Sequence, residues 1–242
     1  MLYYKDCFDF IATLPNNSID LVITDPPYEV SATNKGGSIN NIKKLRDSLQ
    51  DLVVSDINKG YDIPKFAELI IPKLKRINLY FFCNKVQIPK YFNEYVDKRK
   101  CKFDIITYIK QNALPTYSNK YLSDTEYCLH FYKSDGNGCI NHPENYDDAK
   151  TYYLGYINHK DKKLYKHPTT KPLPLVEKLV RNSSNEGDIV FDPFMGSGTT
   201  AVACIHNNRK WIGCENNEMY FAIANQRIGE ATENKGEEDD AE

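Results

Sequence analysis

Short apolar runs recur along the chain at Ile19–Thr24, Asn78–Cys83, Phe103–Ile109, Tyr127–Tyr132, Ile189–Phe191 and Trp211–Cys214. Most are nearly continuous rather than alternating, as expected of strands covered on both faces. Between them, helical spacing of apolar positions marks Phe8–Leu14, Lys65–Leu74, Pro89–Lys98, Leu173–Arg181, Thr199–Asn207 and Glu218–Ile228. This alternation predicts an α/β fold, a mostly parallel open sheet with helices on both faces. Two stretches break the rhythm. Residues 31–62 are rich in Asn, Lys, Ser and Gly, with one short helix expected at Ile42–Leu52. Residues 134–168 are rich in Asn, Asp, Gly, Tyr, His and Lys and show little periodicity. Both exceed an ordinary connection, so each is a candidate functional loop or small inserted module.

Composition narrows the class. At 242 residues, 41% hydrophobic and 26% charged, the chain suits one domain with a modest insertion. No run approaches the ~20 apolar residues of a membrane span. The start MLYYKDCFDF turns polar before a signal peptide could form, which points to a cytoplasmic protein. Seven cysteines, with no CxxC pair, support neither a zinc site nor a disulfide framework. Net charge is −2, but residues 230–242 carry seven acids against Lys235. Residues 1–229 are therefore mildly basic, which is compatible with a polyanionic partner. The expected organisation is a single domain over 1–229 and a disordered acidic tail over 230–242.

Two motifs carry chemistry. Asp25-Pro26-Pro27-Tyr28 directly follows the strand at 19–24, at the strand end where open α/β sheets place ligands. Prolines stiffen this turn and remove two N–H donors. Asp25 and the Pro26 carbonyl can then accept both hydrogens of a planar amino group, with Tyr28 stacking on its ring. The second motif, Asp192-Pro193-Phe194-Met195-Gly196-Ser197-Gly198-Thr199, joins a strand to a helix through a glycine-bearing turn. Glu215 ends the next strand, near the offset at which an acid holds a ribose diol in dinucleotide folds. The glycine-rich turn arrives late, so the chain reads as a permuted nucleotide-binding fold.

This combination resembles the beta class of S-adenosylmethionine-dependent DNA amino-methyltransferases, in which the DPPY segment comes first and FxGxGT last. Tyr4-Lys5-Asp6-Cys7 with Leu14–Asp20 is similar to the family's entry segment, and His167-Pro168-Thr169-Thr170-Lys171-Pro172 to its HPTQKP. Asn78–Pro89 and Tyr108–Tyr127 resemble segments that wall the target base. The resemblance implies a circularly permuted, Rossmann-like methyltransferase fold with a small inserted recognition segment. Asp25, Pro26, Pro27 and Tyr28 would be catalytic. S-adenosylmethionine would meet Asp6, Cys7, Asp25, His167, Thr169, Lys171, Asp192, Pro193, Phe194, Gly196, Ser197, Gly198, Thr199, Glu215 and Asn216, with no metal. Lys5 and Thr170 depart from the family's frequent Gly and Gln.

The reaction so implied is methylation of an exocyclic amine on a flipped-out base. Asp25 in place of the Ser common in the cytosine-N4 branch favours adenine N6. The alternatives are cytosine N4 or, in a different class, a non-catalytic nucleic-acid-binding protein that keeps the fold. DNA is the expected partner, with a homodimer and a cognate restriction endonuclease as further expectations. Base reading is expected in 134–164 through Asn137, Asn141, His142, Asn145, Asn158, His159 and Lys160, with 31–62 as the rival reader. Lys43, Lys44 and Arg46, the cluster Lys98, Arg99, Lys100 and Lys102, and Lys162 and Lys163 are candidate phosphate contacts.

Overall fold

The structure, a computed structural model, describes residues 1–29, 60–113, 121–134, 140–141, 143, 145–157 and 170–239. Its strands are β1 (Leu2–Tyr4), β2 (Leu21–Thr24), β3 (Asn78–Cys83), β4 (Lys102–Lys110), β5 (Thr125–Tyr132), β6 (Tyr152–Gly155), β7 (Ile189–Asp192) and β8 (Lys210–Glu215). They form one eight-stranded sheet in the order β1-β8-β7-β2-β3-β5-β4-β6. The β1–β8, β7–β8, β2–β7, β2–β3 and β4–β6 pairings are parallel. The two pairings of β5, with β3 and with β4, are antiparallel.

The helices are α1 (Cys7–Thr13), α2 (Ile63–Ile70), α3 (Ile88–Tyr91, running on as π-helical turns over Phe92–Lys98), α4 (Tyr146–Ala149), α5 (Leu173–Ser183), α6 (Thr199–His206) and α7 (Glu218–Asp239). Leu79, Phe81 and Cys83 of β3 pack in one core with residues of α1, α2 and α3. Tyr80 and Phe82, the alternate positions, pack with α5 and α6 on the other face. All six residues of the strand are buried, which is why its sequence is a continuous apolar run. A fully buried side chain of this size contributes about 1.5–3 kcal/mol, so β3 and its neighbours anchor both layers. Helix starts follow local chemistry. The Asp6 carboxylate caps α1 by accepting from the Phe8 N–H, and Asp62 caps α2 by accepting from Lys65.

Three expectations change. First, the chain contains β1 and β6, strands too short for a periodicity argument. β6 is a sheet edge written YYLG within a polar stretch. Second, α7 continues to Asp239 through the residues expected to be a disordered tail. Ile228 and Ala231 are buried, and the Glu and Lys residues beyond them extend a helix once its base is packed. Third, two of the residues expected to read bases, Asn141 and Asn145, are engaged within the protein. Asn141 donates to the Arg181 and Ser184 carbonyls at the end of α5, and its own N–H bonds the Asn182 carbonyl. Lys178 bonds the carbonyls of Asp147 and Lys150, and Arg181 forks onto Asp148. Asn145 caps α4 through Asp148. Both Asn141 and Asn145 therefore spend their amides internally.

Replacing Asn141 with Ala is expected to lower the unfolding free energy by about 1–3 kcal/mol, because two carbonyls at the end of α5 lose a donor. Urea denaturation measures it. An unchanged midpoint would show that solvent replaces the amide at no cost.

Candidate active site

Strand order reverses between β7 and β2. The chain leaves β7 for β8 on one side and β2 for β3 on the other, so a crevice opens beyond their C-terminal ends. Asp192 sits at its floor, 4% exposed. Its Oδ1 accepts from the Thr24 hydroxyl at 2.8 Å and the Phe194 N–H at 3.1 Å, and its Oδ2 accepts from the Thr200 hydroxyl at 2.6 Å. Burial outweighs these bonds and lifts its carboxyl to about 6.

Asp25 follows β2 directly. The buried Gln87 amide holds the Pro27 carbonyl at 3.0 Å, and Asn84 holds the Glu29 carbonyl at 2.8 Å. The loop is thus fixed by two prolines from within and by the β3–α3 segment from outside. Asp25 Oδ1 accepts from the Tyr28 hydroxyl at 2.6 Å, and Oδ2 from Lys171 Nζ at 2.5 Å. The same ammonium lies 3.1 Å from the Tyr28 oxygen and 3.5 Å from Glu126 Oε2. Glu126 Oε1 pairs with Lys110 at 2.6 Å. Burial raises the pKa of Asp25, with Lys171 pulling it back and Glu126 adding to the rise.

The opposite wall is the turn after β7. Gly196 and Gly198 take φ of 54° and 83°, left-handed conformations that favour glycine. Arg227 reaches this turn from α7, buried at 5%. It bonds the Ser197 carbonyl at 3.2 Å and the Thr199 hydroxyl at 2.8 Å. Glu215 ends β8 with Oε2 on the Gly196 N–H (2.8 Å) and Oε1 on the Asn217 N–H (2.9 Å). The Asn216 N–H also acts on this carboxylate, which is therefore held mainly by backbone donors. Burial raises its pKa.

These walls enclose a cavity of about 150 Å³. Of the residues anticipated from sequence, Asp25, Pro27, Lys171, Asp192, Phe194, Gly196, Ser197, Thr199, Glu215 and Asn216 line it. Pro26, Tyr28, Pro193 and Gly198 belong to the same two turns but are not among the lining residues. Asp6 and Cys7 lie one strand further on, where Tyr4 is in register with Glu215, and the Asp6 carboxylate is occupied in capping α1. Lys171, expected beside a cofactor, bonds Asp25. His167, Thr169, Asn137, His142, Asn158, His159, Lys160, Lys162, Lys163, Lys43, Lys44 and Arg46 lie outside the described residues. Lys102 is in register with Tyr132, itself opposite Asn78 at the start of β3. The Lys98–Lys102 cluster is therefore at the far end of the sheet from Asp25, and Lys98 and Arg99 are paired to Glu94.

Sequence reading missed Thr24, Gln87, Glu126 and Arg227. Glu126 was written inside a segment already assigned to the wall of the site, but nothing local marks it as a partner of Lys171. Arg227 occupies an ordinary helical position, and only the packing of α7 on the turn gives it a role.

A family model described as DNA methylase matches residues 19–226. The type II methyltransferase M2.DpnII of Streptococcus pneumoniae is 29% identical over 94% of this chain and 89% of its own length. A crystal structure of an M1.HpyAVI–SAM complex superposes with a TM-score of 0.67 at 28% identity, covering 94% of this chain and 98% of that one. The cytosine-N4-specific PvuII DNA methyltransferase shares the fold, with a TM-score of 0.68 at 17% identity over 96% of this chain and 90% of that one.

Asp192 generates a pH prediction. Its folded pKa lies above that of a free Asp, so the folded state holds this proton more tightly. The resulting stability is fully present below the free-Asp value and is lost as pH rises through about 6. Asp192→Asn keeps the shape and removes the titration. Stability of the parent relative to this variant should fall by up to about 2–3 kcal/mol across that window, read by urea unfolding at stepped pH. A constant difference would mean that Asp192 does not titrate there.

Proposed function

The chain belongs to the DNA methylase family, and we propose that it transfers a methyl group from S-adenosylmethionine to the N6 amine of an adenine flipped out of duplex DNA. One observation carries this reading. A buried carboxylate, Asp25, borders the same cavity as the Gly196 turn and Glu215, so an amine acceptor and the glycine turn with its strand-end acid share one space.

The residues present fit the cofactor. Glu215 gives a carboxylate acceptor for a ribose diol, Phe194 and Val176 give apolar lining, and Asp25 gives a second carboxylate in the same cavity. S-adenosylmethionine supplies a methyl group already made electrophilic by its sulfonium, so the protein's task lies with the amine. Its nitrogen lone pair is delocalised into the base. Asp25 and the Pro26 carbonyl, accepting its two hydrogens, favour the tetrahedral geometry that frees that pair. Their attraction grows as positive charge develops on nitrogen, which stabilises the transition state more than the ground state. Asp25 keeps one lone pair on each oxygen beyond those used by Tyr28 and Lys171. The Tyr28 ring, anchored through its hydroxyl, offers a stacking face that offsets part of the cost of flipping.

Adenine rather than cytosine is favoured by the carboxylate at position 25 of the DPPY turn. The type II naming of M2.DpnII supports a restriction–modification setting with a cognate endonuclease. Tritium transfer to unmethylated DNA, followed by nucleoside analysis, tests the function and the base together. N6-methyladenine is expected from the parent chain, and at least a hundredfold less from Asp25→Ala, about the loss typical of removing a transition-state hydrogen-bonding group. N4-methylcytosine would overturn the base, and near-normal turnover in the variant would overturn the role of Asp25.

The cofactor assignment makes a separate prediction. Glu215→Ala removes both the diol acceptor and the clamp on Gly196. S-adenosylmethionine affinity by calorimetry should fall by about 1.5–3 kcal/mol or more. Unchanged affinity would exclude Glu215 from the ribose site.

A further inference from the structure

Lys171 is 6% exposed, immediately before Pro172, the N-cap of α5. Its ammonium lies 2.5 Å from Asp25 Oδ2, 3.5 Å from Glu126 Oε2 and 3.1 Å from the Tyr28 oxygen. It also stands 5.1 Å from the centroid of Phe82 and 5.4 Å from that of Tyr28, within cation–π range. Glu126 is engaged in turn by Lys110. The four groups form an alternating row, Lys110, Glu126, Lys171 and Asp25, with no net charge when all are ionised. Such a row lets charges persist where water is scarce, because each carboxylate has a cation beside it.

We propose that Lys171 is a positioning residue that acts through Asp25: held between Asp25 and Glu126, its ammonium keeps the Asp25 carboxylate anionic and turned toward the cavity. The inference rests on the reading of Asp25 as acceptor of the target amine. An anionic acceptor is needed because a protonated carboxyl would lose much of its attraction for the developing ammonium. Among the described residues, the titratable groups that act most on Asp25 are Lys171, Tyr28 and Glu126, with Cys83, Tyr91, Cys128 and Asp192 in its field. Lys171 opposes the effect of burial on Asp25, whereas Glu126 reinforces it. Burial works against the charge on Lys171, but the two carboxylates outweigh it and the net shift is upward. The ammonium therefore persists and the carboxylates compete for it.

This competition gives opposite signatures for two substitutions. Lys171→Met should raise the midpoint at which Asp25 protonates, and Glu126→Gln, which removes the competing carboxylate, should lower it. The full-length chain labelled at the aspartate carboxyl carbons reads this directly by NMR titration, with the Asp25 signal assigned by its absence in Asp25→Asn. Shifts of about one pH unit or more in opposite directions, a tenfold change in proton affinity each, are expected. An Asp25 midpoint unmoved in both variants would overturn the proposal. In methyl transfer, Lys171→Met should lose about a hundredfold in kcat, with the KM for S-adenosylmethionine nearly unchanged, and Lys171→Arg should recover part of the loss. A raised KM with an unmoved Asp25 titration would instead make Lys171 a cofactor ligand. If Lys171→Met does not fold, Lys171→Gln takes its place in the same titration, a raised Asp25 midpoint supporting the proposal and an unchanged one overturning it. Parent protein that transfers no methyl group to DNA would refute the amine-acceptor reading itself, a failure separate from that of the titration.

Discussion

The buried carboxylate of Asp192 joins the two halves of the sheet where strand order reverses. It bonds Thr24 on β2, Phe194 in the turn after β7 and Thr200 in the first turn of α6. Those three contacts fix the separation between the Asp25 turn and the Gly196 turn, and with it the width of the cavity. The burial that makes the junction rigid also makes the charge on Asp192 unfavourable, so the structure trades some stability for a defined crevice. Side chains on both walls are then aimed by backbone rather than by flexible contacts.

Electrostatics govern what this crevice can do. Its carboxylates differ in their partners: Glu215 faces backbone N–H groups, Asp192 faces hydroxyls and one N–H, and Asp25 faces an ammonium and a phenol. Backbone donors hold Glu215 in place at the cavity. An ammonium beside Asp25 provides the counter-charge that a buried acceptor needs. On the proposed function, Glu215 holds a ligand, Asp192 holds the fold and Asp25 meets a developing cation.

The chemistry-bearing turns were legible because each is a contiguous string placed between a strand and a helix or loop. Asp25–Tyr28 and Asp192–Thr199 declare their backbone through Pro and Gly, and the apolar runs before them declare the strands. The strand β6 and the extension of α7 were not legible. Four residues at a sheet edge leave no periodicity, and an acidic run reads as solvated until Ile228 and Ala231 pack its base. Asn141 and Asn145 looked available for base edges, yet they are engaged with α5 and α4. Amide side chains carry no sequence mark that tells an internal cap from an external reader.

By itself, the sequence determined the α/β class, the permuted order of the two turns and the acids that line the site. Each of these is written locally, in hydrophobic period, in Pro and Gly conformation, and in the position of an acid at a strand end. The tertiary structure decided which acids receive which partners. Lys171 and Asp25 are separated by 146 positions, Arg227 and Thr199 by 28, and Thr24 and Asp192 by 168. No local propensity encodes those pairings. They exist because strand order brings the ends of β2 and β7 together, while the residue leading into α5 and a residue of α7 bring Lys171 and Arg227 to that junction.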